Sequence, residues 1–220
     1  MDRQRRRTPE VAARAHRLDG RASDQLLPVA VVARPVGHRK GDPVPIIDNG
    51  RMNAPPSEPH VPAETSVCLL SRVDDTGRAQ VLLGLKKRGF GQGKIVGLGG
   101  HLEAGESAGD AAVREVHEES GVVVDPASLM FRGEIAFRFP NRPSWDLNIA
   151  IFVTERWTGE PAESEEIAPQ WFYAGDLPYD GMWQDARHWL PRVLDGERLV
   201  ARFTFADDCE TLAQTDCRAL

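Results

Sequence analysis

Between Ser107 and Gly121 the chain carries three glutamates, Glu115, Glu118 and Glu119, at i, i+3 and i+4. Ser107 is a good N-cap and Gly121 a good C-terminal stop, so the pattern predicts a helix over 107–120. On a helix the spacing gathers the three acids within about 100° of arc. Like charges so close repel one another, and Arg114 is the only Lys or Arg between the caps. Ala108, Ala111 and Ala112 project in much the same direction, which turns this side toward protein or ligand rather than open water. A crowded carboxylate face is what a hard divalent cation selects. Mg²⁺ takes oxygen ligands and keeps several waters for a phosphate substrate. A solvated acidic helix would carry the same residues, and the helix alone does not separate the two readings.

The residues upstream separate them. Gly100 is followed after five residues by Glu106, and after seven more by Arg114-Glu115-Val116-His117-Glu118-Glu119-Ser120-Gly121-Val122. This run resembles the Nudix box, GX5EX7REUXEEXGU with U aliphatic, at seven identities and two aliphatic positions without a gap. At background composition such a match arises by chance on the order of once in a hundred million windows. The parts make physical sense. Gly97, Gly99 and Gly100 allow close backbone approach. Glu106 precedes the positive end of the helix dipole, Arg114 can pair with a neighbouring acid, and Gly121 permits a left-handed exit. His101 and His117 lie in the region at positions that are not ligands in the motif. The resemblance implies hydrolysis of a nucleoside diphosphate linked to another group. In that chemistry bound cations neutralise the pyrophosphate and a carboxylate helps activate water.

Composition narrows the partners. Residues 1–60 hold 11 Lys+Arg against 7 Asp+Glu, and residues 61–220 hold 16 against 26. An acidic body is a poor partner for polyanionic nucleic acid unless it concentrates positive charge locally, so no stable nucleic-acid complex is expected. No apolar run approaches the eighteen or so residues of a spanning helix, so no membrane partner is expected. Cys68, Cys209 and Cys217 are scattered without a CxxC pair. That argues against a disulfide framework or a Cys-based zinc site and for reduced thiols.

Residues 1–62 hold nine of the 16 prolines and open with Arg3, Arg5, Arg6 and Arg7. They are expected to form a disordered arm, with Gln25–Ala33 as a short apolar piece and a linker from Met52. No secretory leader is read there, because no apolar core follows the Arg cluster. From residue 63 to 220 the pattern predicts a single α+β domain. Strands are expected at Thr65–Ser71 and Gln80–Lys86, joined by a turn at Asp74–Gly77. Gly89 to Gly105 reads as a glycine-rich span leading into the helix. Strands follow near Met130–Phe139 and Leu147–Glu155, then a short apolar piece at Trp171–Tyr173. A second helix is expected over Gln184–Leu194, interrupted or kinked at Pro191, and Arg198–Phe205 closes the domain as a strand.

The likeness extends past the box. Val81–Gly93, Glu163–Glu166, Trp171-Phe172, Leu177-Pro178, Met182-Trp183 and Trp189-Leu190-Pro191 are similar to stretches of the MutT-type branch that hydrolyses oxidised purine nucleoside triphosphates. That resemblance implies the Nudix fold, a mixed β-sheet sandwiched between helices. It implies Glu115, Glu118 and Glu119 as catalytic carboxylates beside Arg114. It implies Gly99 (through its carbonyl), Glu115, Glu118, Glu119 and Glu166 as ligands of Mg²⁺, with Mn²⁺ as a substitute. Lys86 would contact the substrate near its phosphates. Phe90, Phe137, Phe139 and Trp183 would line or stack in the base pocket, and Asp185 would read the base edge. A small-molecule nucleotide partner, a monomer and a cytoplasmic location follow from the same likeness. The chain departs from the branch at three positions. Val96 replaces an Asn that contacts the base, Ala186 replaces a second acid beside Asp185, and Ile95 replaces a Trp. A pocket with fewer polar groups discriminates less, so base selection is expected to be relaxed or redirected. Two other readings stand beside this one. The first is a Nudix hydrolase of another nucleoside diphosphate derivative: a dinucleoside polyphosphate, a nucleotide sugar or a normal triphosphate. The second is a Nudix-fold module that binds a nucleotide without cleaving it, which the intact set of box carboxylates disfavours.

Overall fold

In the computed structural model of the chain, which describes residues 60–220, β1 (Ala63–Val73) is the strand around which the rest is arranged. Its apolar residues alternate between two covered faces. Leu69 joins one core, and Cys68 and Leu70 join another. β2 (Ala79–Lys86) does the same, with Val81 and Leu83 on one side and Leu82 on the other. Strands buried on both faces need a cover on each. α1 (Ala108–Ser120) supplies one through Ala112 and Val116. α2 (Ala186–Leu194) supplies the other through Ala186, Leu190 and Val193.

The remaining strands are β3 (Ile95–Val96), β4 (Leu98–His101), β5 (Val123–Val124), β6 (Met130–Arg138), β7 (Leu147–Thr154), β8 (Trp157–Thr158), β9 (Ile167–Tyr173), β10 (Leu199–Phe205) and β11 (Leu212–Ala219). The sheet runs β11-β10-β6-β7-β1. β4 lies along the first half of β1, and β2 pairs with its far end and also carries β3 and β9. β1–β7 and β6–β10 are parallel and the other pairs antiparallel, so the sheet is mixed, as expected of an α+β domain. β5 and β8 form a separate small pair.

The structure differs from the sequence expectation in four places. The glycine-rich span contains β3 and β4. Gly97 joins the two strands and Gly99 and Gly100 lie in β4, where side chains would collide: a Cβ on Gly97 would overlap Val67, and one on Gly99 would overlap the Ser66 carbonyl oxygen. The piece at Trp171–Tyr173 is the end of a seven-residue strand that begins at Ile167. Pro169 hid it, and β2 is the strand that β9 pairs with, an arrangement in which one missing N–H is tolerated. α2 starts at Ala186 and runs through Pro191 without interruption. The domain does not close at Phe205. The polar strand β11 follows and pairs antiparallel with β10, its side chains mostly exposed, so it lacks the apolar alternation that marks a strand. The Arg cluster, the Gln25–Ala33 piece, the linker from Met52 and the disorder expected of the arm fall on residues 1–59, outside the described residues.

Candidate active site

Ser107 caps α1, accepting a hydrogen bond from the Asp110 N–H at 3.2 Å, and Gly121 leaves the helix in the left-handed region at φ 74°. The helix lies across β4, so its carboxylates meet a strand that carries two glycines. A Cβ at Gly100 would overlap the Glu115 carboxylate, so a side chain there would push that carboxylate aside. The Gly99 N–H donates to Glu119 Oε2 at 2.9 Å. The three acids do not share one environment: Glu119 is buried, Glu115 is mostly covered and Glu118 is exposed.

Two cations divide the carboxylates. Arg114 holds Glu106 bidentately, Nε to Oε1 and Nη2 to Oε2, both at 2.9 Å. Its Nη1 donates to Glu115 Oε1 at 2.9 Å and to Glu118 Oε2 at 3.1 Å, and its Nη2 also reaches the His101 carbonyl at 3.0 Å. These hydrogen bonds, Glu106 first, raise the Arg114 pKa and hold the Glu106 carboxyl down at about 2. At the other end Lys86 Nζ, on the last residue of β2, donates to Glu119 Oε1 at 2.8 Å and to Glu166 Oε2 at 3.2 Å. Burial opposes the Lys86 charge, but the bonds and charges of these two acids outweigh it and raise its pKa. For Glu119 burial wins over the Lys86 and Gly99 bonds and raises the pKa. Glu166 is held low by hydrogen bonds from Arg88 and then Lys86.

Among the described residues no set of His, Cys, Asp and Glu side chains forms a ready-made metal cage. The donor set still fits a hard divalent cation. Glu115, Glu118, Glu119 and Glu166 offer only oxygens, and the two glycines keep side chains away from the adjoining backbone.

A cavity of about 460 Å³ opens beside these acids. Lys86, Gly99 and Glu166 line one end, and Phe90, Phe137, Phe139, Trp183 and Asp185 line the other. Phe90 stacks on Trp183 at a centroid distance of 5.5 Å and 16° between planes. Phe139 stacks on Phe205 at 4.6 Å, and Phe137 on Phe203 at 5.7 Å, so these two rings are also tied to the core beneath. Asp185 precedes α2 and is only 4% exposed. Its Oδ2 accepts from the Trp189 indole N–H at 2.8 Å, while Oδ1 is buried without a hydrogen-bond partner. Burial pushes the Asp185 carboxyl up to about 6 against the Trp189 bond.

All the residues singled out from the sequence therefore sit on α1 or around this cavity. Lys86, expected at the phosphates, pairs with two of the acids. Ile95, Val96 and Ala186 all line the cavity, but they are not equivalent. Ile95 and Ala186 belong with the α2-side core, whereas Val96 packs against the α1-side core. Sequence reading missed Trp189 as the partner of Asp185 and Arg88 as the partner of Glu166. Spacing offered a signal for the first, since Asp185 and Trp189 are four residues apart. The second pairing spans 78 positions and leaves no local trace.

Residues 62–193 match the family model described as the NUDIX domain, more than half of the chain. The chain is 41% identical over 128 residues to the mouse (Mus musculus) oxidized purine nucleoside triphosphate hydrolase, covering 58% of this chain and 80% of that protein. It is 44% identical over 126 residues to the zebrafish (Danio rerio) protein of the same name, covering 57% and 79%. Among solved structures, a MutT protein from Bacillus halodurans superposes with a TM-score of 0.59 at 24% identity, covering 70% of this chain and 97% of that one. This likeness concerns the fold.

Proposed function

The chain belongs to the Nudix hydrolase family, and on that premise we propose that it cleaves purine nucleoside triphosphates, oxidised ones such as 8-oxo-dGTP included, to the monophosphate and pyrophosphate. Such an activity clears damaged nucleotides from the precursor pool. One observation carries this reading. A single cavity runs from an aromatic, carboxylate-tipped slot at Trp183 and Asp185 to the acids at Glu166 and Gly99.

The residues divide the work accordingly. Trp183 and Phe90 stack on the base. Asp185 Oδ1 accepts from an N–H on the base edge and so gains the partner it lacks. Glu115, Glu118, Glu119 and Glu166, with the Gly99 carbonyl, would hold Mg²⁺, or Mn²⁺ in its place. The bound ion supplies charge neutralisation at the pyrophosphate and an acidified water. Arg114 keeps Glu115 and Glu118 oriented. Lys86 faces the triphosphate from β2. The same reading makes the protein a monomer acting on a small molecule in the cytoplasm. No helix among the described residues is long and apolar enough to cross a membrane.

Base choice is read as broad. Ala186 brings no second acid beside Asp185, and Val96, which lines the cavity but packs on the α1-side core, offers no polar group, so Asp185 is the one carboxylate at the base edge. Steady-state kinetics of pyrophosphate release from 8-oxo-dGTP, dGTP and dATP test this. Hydrolysis of all three with modest preference is expected. Activity confined to dinucleoside polyphosphates or nucleotide sugars would overturn it.

A further inference from the structure

Ser66 is fully buried, and its hydroxyl has no hydrogen-bond partner. An unpaired hydroxyl in such a place costs free energy, so it calls for a reason. Its position limits the choices. Ser66 is on β1 in step with Cys68 and Leu70, on the face that α1 covers. Its neighbours on the two flanking strands are Gly100 and Ala150, neither of which has a polar side chain. The chemistry must therefore come from the helix above. There the Glu115 carboxylate lies directly over Gly100. Cross-strand neighbours have Cβ positions about 5 Å apart, so the hydroxyl and the carboxylate share one small buried space. The hydrogen bond of Glu115 to Arg114 uses Oε1, which leaves Oε2 for a second donor.

We propose that Ser66 is a positioning residue, whose hydroxyl stands beneath Glu115 without a partner and donates to that carboxylate when it swings to bind a cation. The inference rests on the reading of the α1 acids as a divalent-cation site. A ligating carboxylate that is also hydrogen-bonded from behind loses rotational freedom, and loss of such a support commonly weakens metal binding about 10- to 100-fold. A hydroxyl kept only for packing behaves differently: its removal opens a void or is neutral, and metal affinity does not respond.

Mn²⁺ binding, followed by the electron paramagnetic resonance of the free ion, is measured on the full chain and on Ser66→Ala. Thermal melts of both are recorded in chelator. The expected result is an affinity about tenfold weaker in Ser66→Ala, with a melting temperature in chelator equal to or above that of the parent. In a Glu115→Gln background the same substitution is expected to change affinity by less than about twofold. Equal affinity of Ser66→Ala and the parent would overturn the proposal, and so would an undiminished effect in the Glu115→Gln background. If the parent itself binds no Mn²⁺, it is the cation-site reading that fails.

Discussion

The two ends of the cavity are built on opposite plans. At the carboxylate end five acids and three cations interlock, and nearly every charged oxygen has a donor. At the base end the walls are aromatic and aliphatic, and one buried carboxylate stands among them with one oxygen unpaired. The first end is redundant in charge, and its geometry is set by α1, β4, the end of β2 and the segment before β9. The second depends on a single polar group and on side chains drawn from β1, β3, β6, α2 and the loops between them. Substitutions at the first should therefore abolish chemistry with little change in substrate preference. Substitutions at the second should shift preference and stability while chemistry persists.

The largest effect is expected from Glu119→Gln. The change keeps volume and removes the charge that faces Lys86 and the Gly99 N–H. Turnover is expected to fall by about two to four orders of magnitude, with a far-ultraviolet dichroism spectrum like that of the parent. The ratio of rates on 8-oxo-dGTP and dGTP, read from whatever activity remains, should stay where it was. A changed ratio would show that the two ends are not separable in this way.

Asp185→Asn should do the reverse. Losing the charged acceptor at the base edge is expected to lower kcat/KM by about 10- to 100-fold, mostly through KM. Its effect on stability carries a definite sign. The folded-state pKa of Asp185, about 6, lies above the ordinary aspartate value of 3.8, so the native state binds the proton more tightly than the unfolded chain. Stability from this group is then fullest below about pH 4 and falls as pH rises toward 6, by roughly 3 kcal/mol in all. Thermal melts should show Asp185→Asn more stable than the parent at pH 7 to 8 and the gap closing toward pH 4. A parent that is the more stable of the two at pH 8 would mean that Asp185 holds a partner in the folded protein.

Ala186→Asp comes next in size. It restores a second acid at the mouth of α2, on the side where Asp185 stands, and is expected to raise the preference for oxidised over normal dGTP by about tenfold. Val96→Asn, whose side chain packs toward the α1-side core, should shift that ratio by less than about threefold. The reverse ranking would place Val96, and not Ala186, at the base edge. The smallest effect is expected from removing residues 1–51. A chain beginning at Met52 should melt cooperatively and keep its rate within roughly twofold.

The same contrast explains what could be read from the sequence. The acids of α1, its caps, Arg114 and the glycines before it lie within 25 consecutive residues, so fixed spacing reveals them. Lys86 and Glu166 are distant in sequence. Without the family resemblance neither carries a signal, because their meeting depends on how β2 and the segment before β9 pair. Phe137 and Phe139, expected from the resemblance to line the base pocket, serve as core and as cavity wall at once. β11 was illegible for a different reason: as an exposed strand it has polar residues on both faces, and its pairing with β10 is fixed through the backbone.

That one cavity serves base and phosphates together is tested most directly by the products formed from 8-oxo-dGTP. Anion-exchange separation of a reaction with Mg²⁺ should show 8-oxo-dGMP and pyrophosphate in equal amounts, and nothing when chelator is added first. Formation of the diphosphate with inorganic phosphate, or hydrolysis that survives the chelator, would contradict it.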